Sequence, residues 1–243
     1  MDAAARASHA APDQHSRTLK ARKIERLLGP GVLRDGAALL DIGAGSGWIA
    51  HYFARHPRHR LSVSAVDARD ERVAKDGYVF RQVTGAALPF ADASFDVVLS
   101  NHVIEHVGGE AEQLAHLAEA RRVLRPGGTL YLAVPNRWSL VEPHYRLPLL
   151  SWLPAGWANA WVRATGRGSW YDCRPLGPLQ ARRMLRQAGL AASDVSAEAL
   201  VAMVELERPG VAWAARIAGW VGRWGAGALG LLSPTLIFKG RAQ

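Results

Sequence analysis

Apolar positions along this chain alternate between two rhythms. Between Ser16 and Leu28, Leu19, Ile24, Leu27 and Leu28 stand at helical spacing among Lys and Arg, and Gly29-Pro30-Gly31 ends the run. An amphipathic helix is expected there. Ala37 to Ile42 is instead a short unbroken apolar run, as in a strand buried on both faces. A glycine-rich turn follows it, and then a helix from Trp48 to Arg55. Leu61 to Val66, closed by Asp67, is expected as a second strand, Val79 to Val83 as a third and Phe95 to Ser100 as a fourth. A helix is expected over Glu110 to Leu124, a sharp turn at Arg125-Pro126-Gly127-Gly128, and a fifth strand over Thr129 to Val134. Strands alternating with helices in this way imply a doubly wound, mostly parallel sheet.

Beyond Pro135 the rhythm fades. Residues 136–175 are rich in proline and tryptophan and show little periodicity, which suits an insertion or lid over the strand ends. Leu179 to Gly189 returns to helix, with Gly189 as its cap. Asp194 to Leu200 is expected as a sixth strand, Val211 to Leu232 as helix, and Thr235 to Lys239 as the last strand. The expected organisation is one domain: a flexible leader over 1–18, a cofactor-binding core over 19–135, a lid or substrate segment over 136–178, and C-terminal helices and strands over 179–243.

Composition supports a globular reading. Of 243 residues, 49% are hydrophobic and 21% charged, which is enough for a full core. The formal net charge is +9. It favours anionic partners, but the basic residues are scattered and form no long run. Cys173 is the only cysteine, so no disulfide forms within the chain and no cysteine-rich zinc site is available. A reducing, cytoplasmic setting is expected. The leader lacks the apolar stretch of a secretory signal, and Arg216 and Arg223 interrupt the nearest approach to a membrane span.

The turn Asp41-Ile42-Gly43-Ala44-Gly45-Ser46-Gly47 carries the first chemistry. Glycine takes positive φ and lets backbone approach a ligand, and the helix that follows begins with unpaired N–H groups. The spacing is G-x-G-x-G rather than the G-x-G-x-x-G of NAD-binding turns, and an acid, Asp41, precedes the first glycine. Asp67, at the end of the next strand, is placed to accept both hydroxyls of an adenosine ribose. Its alternative role is to cap the following segment.

Four stretches in order, LLDIGAGSGWIA, SAVDARDERV, LPFADASFDVVLSNHVIEHV and RVLRPGGTLYLAVPN, resemble the motifs of class I S-adenosylmethionine-dependent methyltransferases. The subgroup is similar to the ubiquinone and menaquinone biosynthesis methyltransferases. The resemblance spans roughly residues 37–136. It implies a Rossmann-like, seven-stranded sheet with the last strand antiparallel, and S-adenosylmethionine as cofactor. It implies that Gly43, Ala44, Gly45 and Gly47 pass under the methionine part, while Asp41 orders the turn and holds the amino-acid end. Asp67 would take the ribose, Ala68 the adenine, and Ser100 and Asn101 the methionine side. One departure stands out. The family's Gly-Asp-Ala before LPF is replaced here by Thr84-Gly85-Ala86-Ala87, so the adenine amino group needs backbone groups or Thr84.

Methyl transfer from a sulfonium needs alignment, exclusion of water and a home for any proton lost. His102, His106 and His144 are the candidate bases, with His144 favoured in its loop between Glu142 and Tyr145. Glu105 and His106 also suit a helix start. No metal is assigned, although His102, Glu105, His106 and His144 together would suit a transition ion.

Trp138, Trp152, Trp157, Trp161 and Trp170, interleaved with Arg146, Arg163, Arg167 and Arg174, suit the wall of an apolar pocket or a satellite core. The Trp- and Arg-bearing stretch 211–238 fits either a helix packed on the sheet or a peripheral contact with the inner face of a membrane. A small-molecule acceptor, lipid-linked or quinone-like, is expected. Nucleic acid is not, because the arginines form no stripe. An NAD-dependent oxidoreductase and a non-catalytic protein on the same scaffold are the alternatives.

Overall fold

The structure is a computed structural model that describes residues 13–207 and 233–243. Its centre is a seven-stranded sheet, ordered β3-β2-β1-β4-β5-β9-β8. β1 (Ala38–Ile42), β2 (Ser62–Asp67), β3 (Val79–Gln82), β4 (Phe95–Asn101) and β5 (Leu124–Pro135) run parallel. β9 (Thr235–Ala242) lies antiparallel between β5 and β8 (Leu190–Asp194). The expected seven-stranded, Rossmann-like sheet with an antiparallel last strand is therefore present.

Strand residues alternate between two cores. Leu40, Ile42, Val98 and Leu130 face α3 (Glu110–Val123) and α5 (Pro178–Gln187), where Leu117, Ala120, Met184 and Leu185 meet them. Leu39, Val97, Leu99 and Tyr131 face α1 (Gln14–Leu28) and α2 (Trp48–Ala54), through Ala21, Ile24, Ile49 and Phe53. Both faces are covered, which is why β1 and β4 read as unbroken apolar runs. The chain leaves β1 toward β2 and β3, then crosses to β4 on the other side. The carboxyl ends of β1 and β4 thus flank the switch point where doubly wound sheets hold ligands.

Several expectations need correction. The leader ends sooner than residue 18, because Asp13 caps α1 by accepting from Ser16 N at 2.8 Å, and Gln14 to Thr18 are helical. The turn Arg125–Gly128 does not precede the fifth strand but bulges within it. Leu124 pairs with Phe95 and the next pair is Thr129 with Val97. Gly189 follows the cap of α5, which is Ala188.

The expected strand Asp194–Leu200 is instead the end of β8 and the start of α6 (Ser196–Glu207). Asp194 Oδ1 accepts from Ser196 N at 3.0 Å and from Ser196 Oγ at 2.6 Å, which turns the chain. Ala, Glu, Leu and Met then favour helix.

The aperiodic stretch after Pro135 has structure of its own. It holds a hairpin of β6 (Val141–Glu142) and β7 (Leu147–Pro148), a 3-10 turn at Leu150–Trp152, and helix α4 (Ala155–Ala164). Tyr145, Leu147, Leu150, Ala158, Val162 and Cys173 form a small core there. The tryptophans do not build it, and Trp157 is 73% exposed. The expected helix Val211–Leu232 lies outside the described residues, as does most of the stretch 211–238. Among the described residues no helix is long and apolar enough to cross a membrane.

Candidate functional site

The glycine turn is held almost wholly by backbone. Gly43 N and Ala44 N both donate to Val66 O, at 2.8 and 3.1 Å, and Gly47 N donates to Ala44 O at 2.8 Å. Two glycines are obligatory. At Gly43, with φ +79°, a Cβ would stand 2.3 Å from Val103 Cγ2. At Gly47, with φ +80°, it would stand 2.2 Å from the carbonyl oxygen of Ala74. Asp67 closes the turn from the neighbouring strand, its Oδ2 accepting from Gly45 N at 2.8 Å. The carbonyl of the next residue, Ala68, accepts from Gln82 Nε2 at 2.9 Å.

Asp41 is the next-to-last residue of β1, just before this turn, and is only 1% exposed. Its Oδ2 is buried and has no hydrogen-bond partner. Burial, and then the nearby Asp67 charge, push its carboxyl up to about 8, against the pull of Arg17. A buried acid with an unused oxygen beside a backbone cradle fits a cationic group on a ligand.

Arg17 and Lys20 of α1 reach this end of the sheet, and sequence reading missed both. Burial, then Arg17 and Lys23, push the Lys20 amine down to about 8, while Glu105 pulls the other way. A signal was available, since Arg17 continues the stripe of Ala21, Ile24 and Leu28 that α1 buries. A cation on an apolar stripe needs an anion.

At the end of β4 the expected pair Ser100 and Asn101 separates. The Ser100 side chain is fully buried and bonded to His116 Nε2 at 2.9 Å. The Ser100 hydroxyl is therefore engaged inside the core, which leaves its backbone to border the strand end. Burial pushes His116 down to about 4, so its imidazole is neutral. Asn101 is half-buried. His102 follows at φ +59°, a left-handed conformation rare for a residue with a side chain. Its N–H donates to Ala133 O at 2.9 Å, which turns the chain off the sheet.

Beyond it lies a dense cluster around Glu105, which is fully buried. Glu105 Oε1 stands 3.3 Å from His102 Nδ1, 3.5 Å from His144 Nε2 and 3.9 Å from His106 Nε2. Burial works against the Glu105 charge, but the imidazoles outweigh it and hold the carboxyl below its usual range. Burial holds His102 below the usual imidazole range despite Glu105. His144 goes the other way: burial opposes its charge, yet Glu142, Glu105 and Asp172 raise it. The Glu142 carboxylate fixes His144 from the far side, at 3.0 Å from Nδ1, and also accepts from Tyr145 N at 2.6 Å. The structure thus brings His102, His106 and His144 together. It adds Glu142 and Cys173, whose Sγ lies 3.8 Å from His106 Nδ1.

Comparison with known proteins bears on this arrangement. Residues 40–132 match the family model described as a methyltransferase domain. A ubiquinone biosynthesis O-methyltransferase of Cereibacter sphaeroides is 31% identical over 176 residues, covering 66% of this chain and 62% of the relative. A dimethylglycine N-methyltransferase of Parasynechococcus marenigrum is 34% identical over 152 residues, covering 58% of this chain and 53% of the relative. The chain thus spans less than two thirds of the length of either. A solved S-adenosylmethionine-dependent methyltransferase of Mesorhizobium loti shares the fold, with a TM-score of 0.60 at 16% identity, over 94% of this chain and 100% of that one.

Proposed function

We propose that this chain, which belongs to the class I S-adenosylmethionine-dependent methyltransferases, moves a methyl group from that cofactor to a small-molecule acceptor of lipid-linked or quinone-like character. The observation that carries the donor side is Asp41, a buried carboxyl with an unused oxygen beside a turn whose Gly43 and Gly47 leave no room for a Cβ. The residues present fit the cofactor. Asp41 receives its ammonium end, and Gly43, Ala44, Gly45 and Gly47 run under the methionine part. Asp67 takes the ribose hydroxyls, Ala68 borders the adenine, and Asn101 borders the methionine with the backbone of Ser100. The cofactor supplies a methyl group activated by its sulfonium.

The chain's own residues align the acceptor, exclude water and take the proton. His102 is the proton acceptor in this reading. It sits at a strained position on the strand end. The next residue, Val103, packs against Gly43. Glu105 faces its Nδ1 and stabilises the imidazolium that forms. The acceptor class draws support from two sides. The first is the relative named for ubiquinone biosynthesis. The second is the exposed Trp138, Trp152, Trp157 and Trp161 after β5. The relative named for dimethylglycine keeps N-methylation of a small amine as the competing acceptor class.

Calorimetry with S-adenosylmethionine and with NAD tests the donor. Binding of the first and not the second is expected. Asp67→Ala removes about 1.5–3 kcal/mol of charge-assisted hydrogen bonding, so affinity falls roughly 10- to 100-fold. Unchanged affinity in that variant would sink the donor assignment. For the acceptor, methyl-labelled cofactor and cell extract should place label in the organic phase. Label confined to the aqueous phase rules out a lipid-linked acceptor.

A further inference from the structure

Three side chains that the methyl-transfer reading leaves without a role meet at one point. His106 comes from the 3-10 turn after β4, and His144 from the β6–β7 hairpin. Cys173 comes from the stretch beside Arg174, whose N–H donates to Glu105 O at 2.8 Å. One nitrogen of each imidazole and the Cys173 sulfur all lie within 4.8 Å of one another. His106 Nδ1 stands 3.8 Å from that sulfur. Tetrahedral donors bound at about 2.0–2.3 Å stand roughly 3.3–3.8 Å apart, so small side-chain shifts bring the three onto one ion.

The surroundings point the same way. His144 has a carboxylate bonded at its other side, as metal-bound histidines do, and His106 has one nearby. Glu142 Oε1 lies 3.0 Å from His144 Nδ1, and Glu105 Oε1 lies 3.9 Å from His106 Nε2. Neither oxygen of the fully buried Glu105 has a hydrogen-bond partner. A buried carboxylate whose polar neighbours are imidazoles at 3.3–3.9 Å marks a place for positive charge. Two nitrogens and a sulfur select a borderline or soft ion over magnesium.

We infer that His106, His144 and Cys173 bind one transition-metal ion of the zinc or cobalt class, with Glu105 beside it and a fourth position open. Three protein ligands with an open place are the pattern of reactive rather than purely structural zinc sites. His102 shares Glu105 with His106 and His144, so an ion held there would bring an acceptor hydroxyl, amine or thiol near the proton acceptor. This differs from the set the sequence offered without assigning a metal, which held His102 and Glu105 and left out Cys173.

The test uses the whole chain, freed of metal with a chelator and titrated with Co(II) at neutral pH. One equivalent should bind, with tetrahedral bands in the visible and a thiolate-to-cobalt band in the near ultraviolet. Cys173→Ser should abolish the thiolate band. Glu142→Gln, which loosens the carboxylate behind His144, should weaken metal binding about 10- to 100-fold. His102→Ala should leave the cobalt spectrum unchanged. Absence of saturable one-to-one binding overturns the inference, and so does a cobalt spectrum that Cys173→Ser leaves intact. Calorimetry with S-adenosylmethionine on the same samples reports on the donor site separately, because these substitutions do not touch the glycine turn.

Discussion

The cofactor turn takes its parts from residues 41–67, one passage of strand, turn, helix and strand. The imidazole cluster takes its parts from residues 102–173, on a 3-10 turn, a hairpin loop and an extended stretch. In the first, backbone amides and carbonyls set the shape, and side chains enter only as the two acids. In the second, side chains hold one another: Glu142 fixes His144, and Glu105 gathers three imidazoles. A site shaped by backbone tolerates most side-chain changes and fails when a Cβ intrudes. A site shaped by side chains depends on each partner and on whatever fills it. In the proposed reaction the donor end would thus be rigid and the acceptor end adjustable.

The largest effect should come from putting a Cβ into the turn. Gly47→Ala combines φ +80° with a contact of 2.2 Å to a carbonyl oxygen, which is backbone and cannot swing aside. The left-handed conformation costs about 1–2 kcal/mol and the overpacking about 1–3 more. At about 2–4 °C per kcal/mol, the melting temperature should fall by roughly 5–20 °C, with S-adenosylmethionine binding lost. Gly85→Ala is the control. Its φ is +74°, but nothing lies within 4 Å of the added Cβ. Only the conformational cost should appear. Equal losses in the two variants would remove the contrast between a turn closed by backbone and an open one.

The same contrast explains what the sequence made legible. Asp41, the glycines and Asp67 are local signals on strand ends, so spacing alone exposed them. The place of Ser100 was legible but not the direction of its side chain, because the alternation of the strand sets Ser100 with Val98 on the α3 face, where its hydroxyl meets His116. β8 was missed because Leu190-Ala-Ala-Ser-Asp lacks β-branched and aromatic residues, and its pairing with β9 is long-range. α4 hid among tryptophans that face outward, with only Ala158 and Val162 buried at i and i+4. Cys173 carried no local signal at all. Its place beside His106 depends on how the stretch after α4 returns to Glu105, which no periodicity encodes.

A second, smaller effect concerns pH at Asp41. The folded carboxyl titrates near about 8, far above its unfolded value. The folded state therefore holds a proton that the unfolded state has released. Stability from this group is full below about pH 4 and is lost as pH rises through about 8, by at most about 1.4 kcal/mol per pH unit. Asp41→Asn fixes the neutral form, so its advantage in melting temperature should grow from pH 5 to about 8 and then level off. Ligand binding should run the opposite way. An ammonium group favours the ionised carboxylate, so wild-type affinity for S-adenosylmethionine should climb between about pH 6 and 8. The Asn variant should be weak and flat. A flat wild-type profile would mean that Asp41 is not where the cationic end of the cofactor sits.

The smallest effect tests whether the two regions are separable. Tyr145 is buried in the small core after β5, and its hydroxyl lies 2.7 Å from Asp172 Oδ1 and 3.0 Å from Trp170 O. Tyr145→Phe keeps the ring packed and removes only this tie, worth about 1.5–3 kcal/mol because the acceptor is charged. The loosened partner, Asp172, also accepts from Cys173 Sγ at 3.4 Å, so the change reaches the imidazole cluster through one side chain. If backbone alone holds the donor site, S-adenosylmethionine affinity should stay within about twofold while methyl transfer slows. Cobalt spectra should broaden as the position of Cys173 becomes less defined. A parallel loss of cofactor affinity would show that the segment after β5 closes over the donor as well, and the division between a rigid donor end and an adjustable acceptor end would have to be given up.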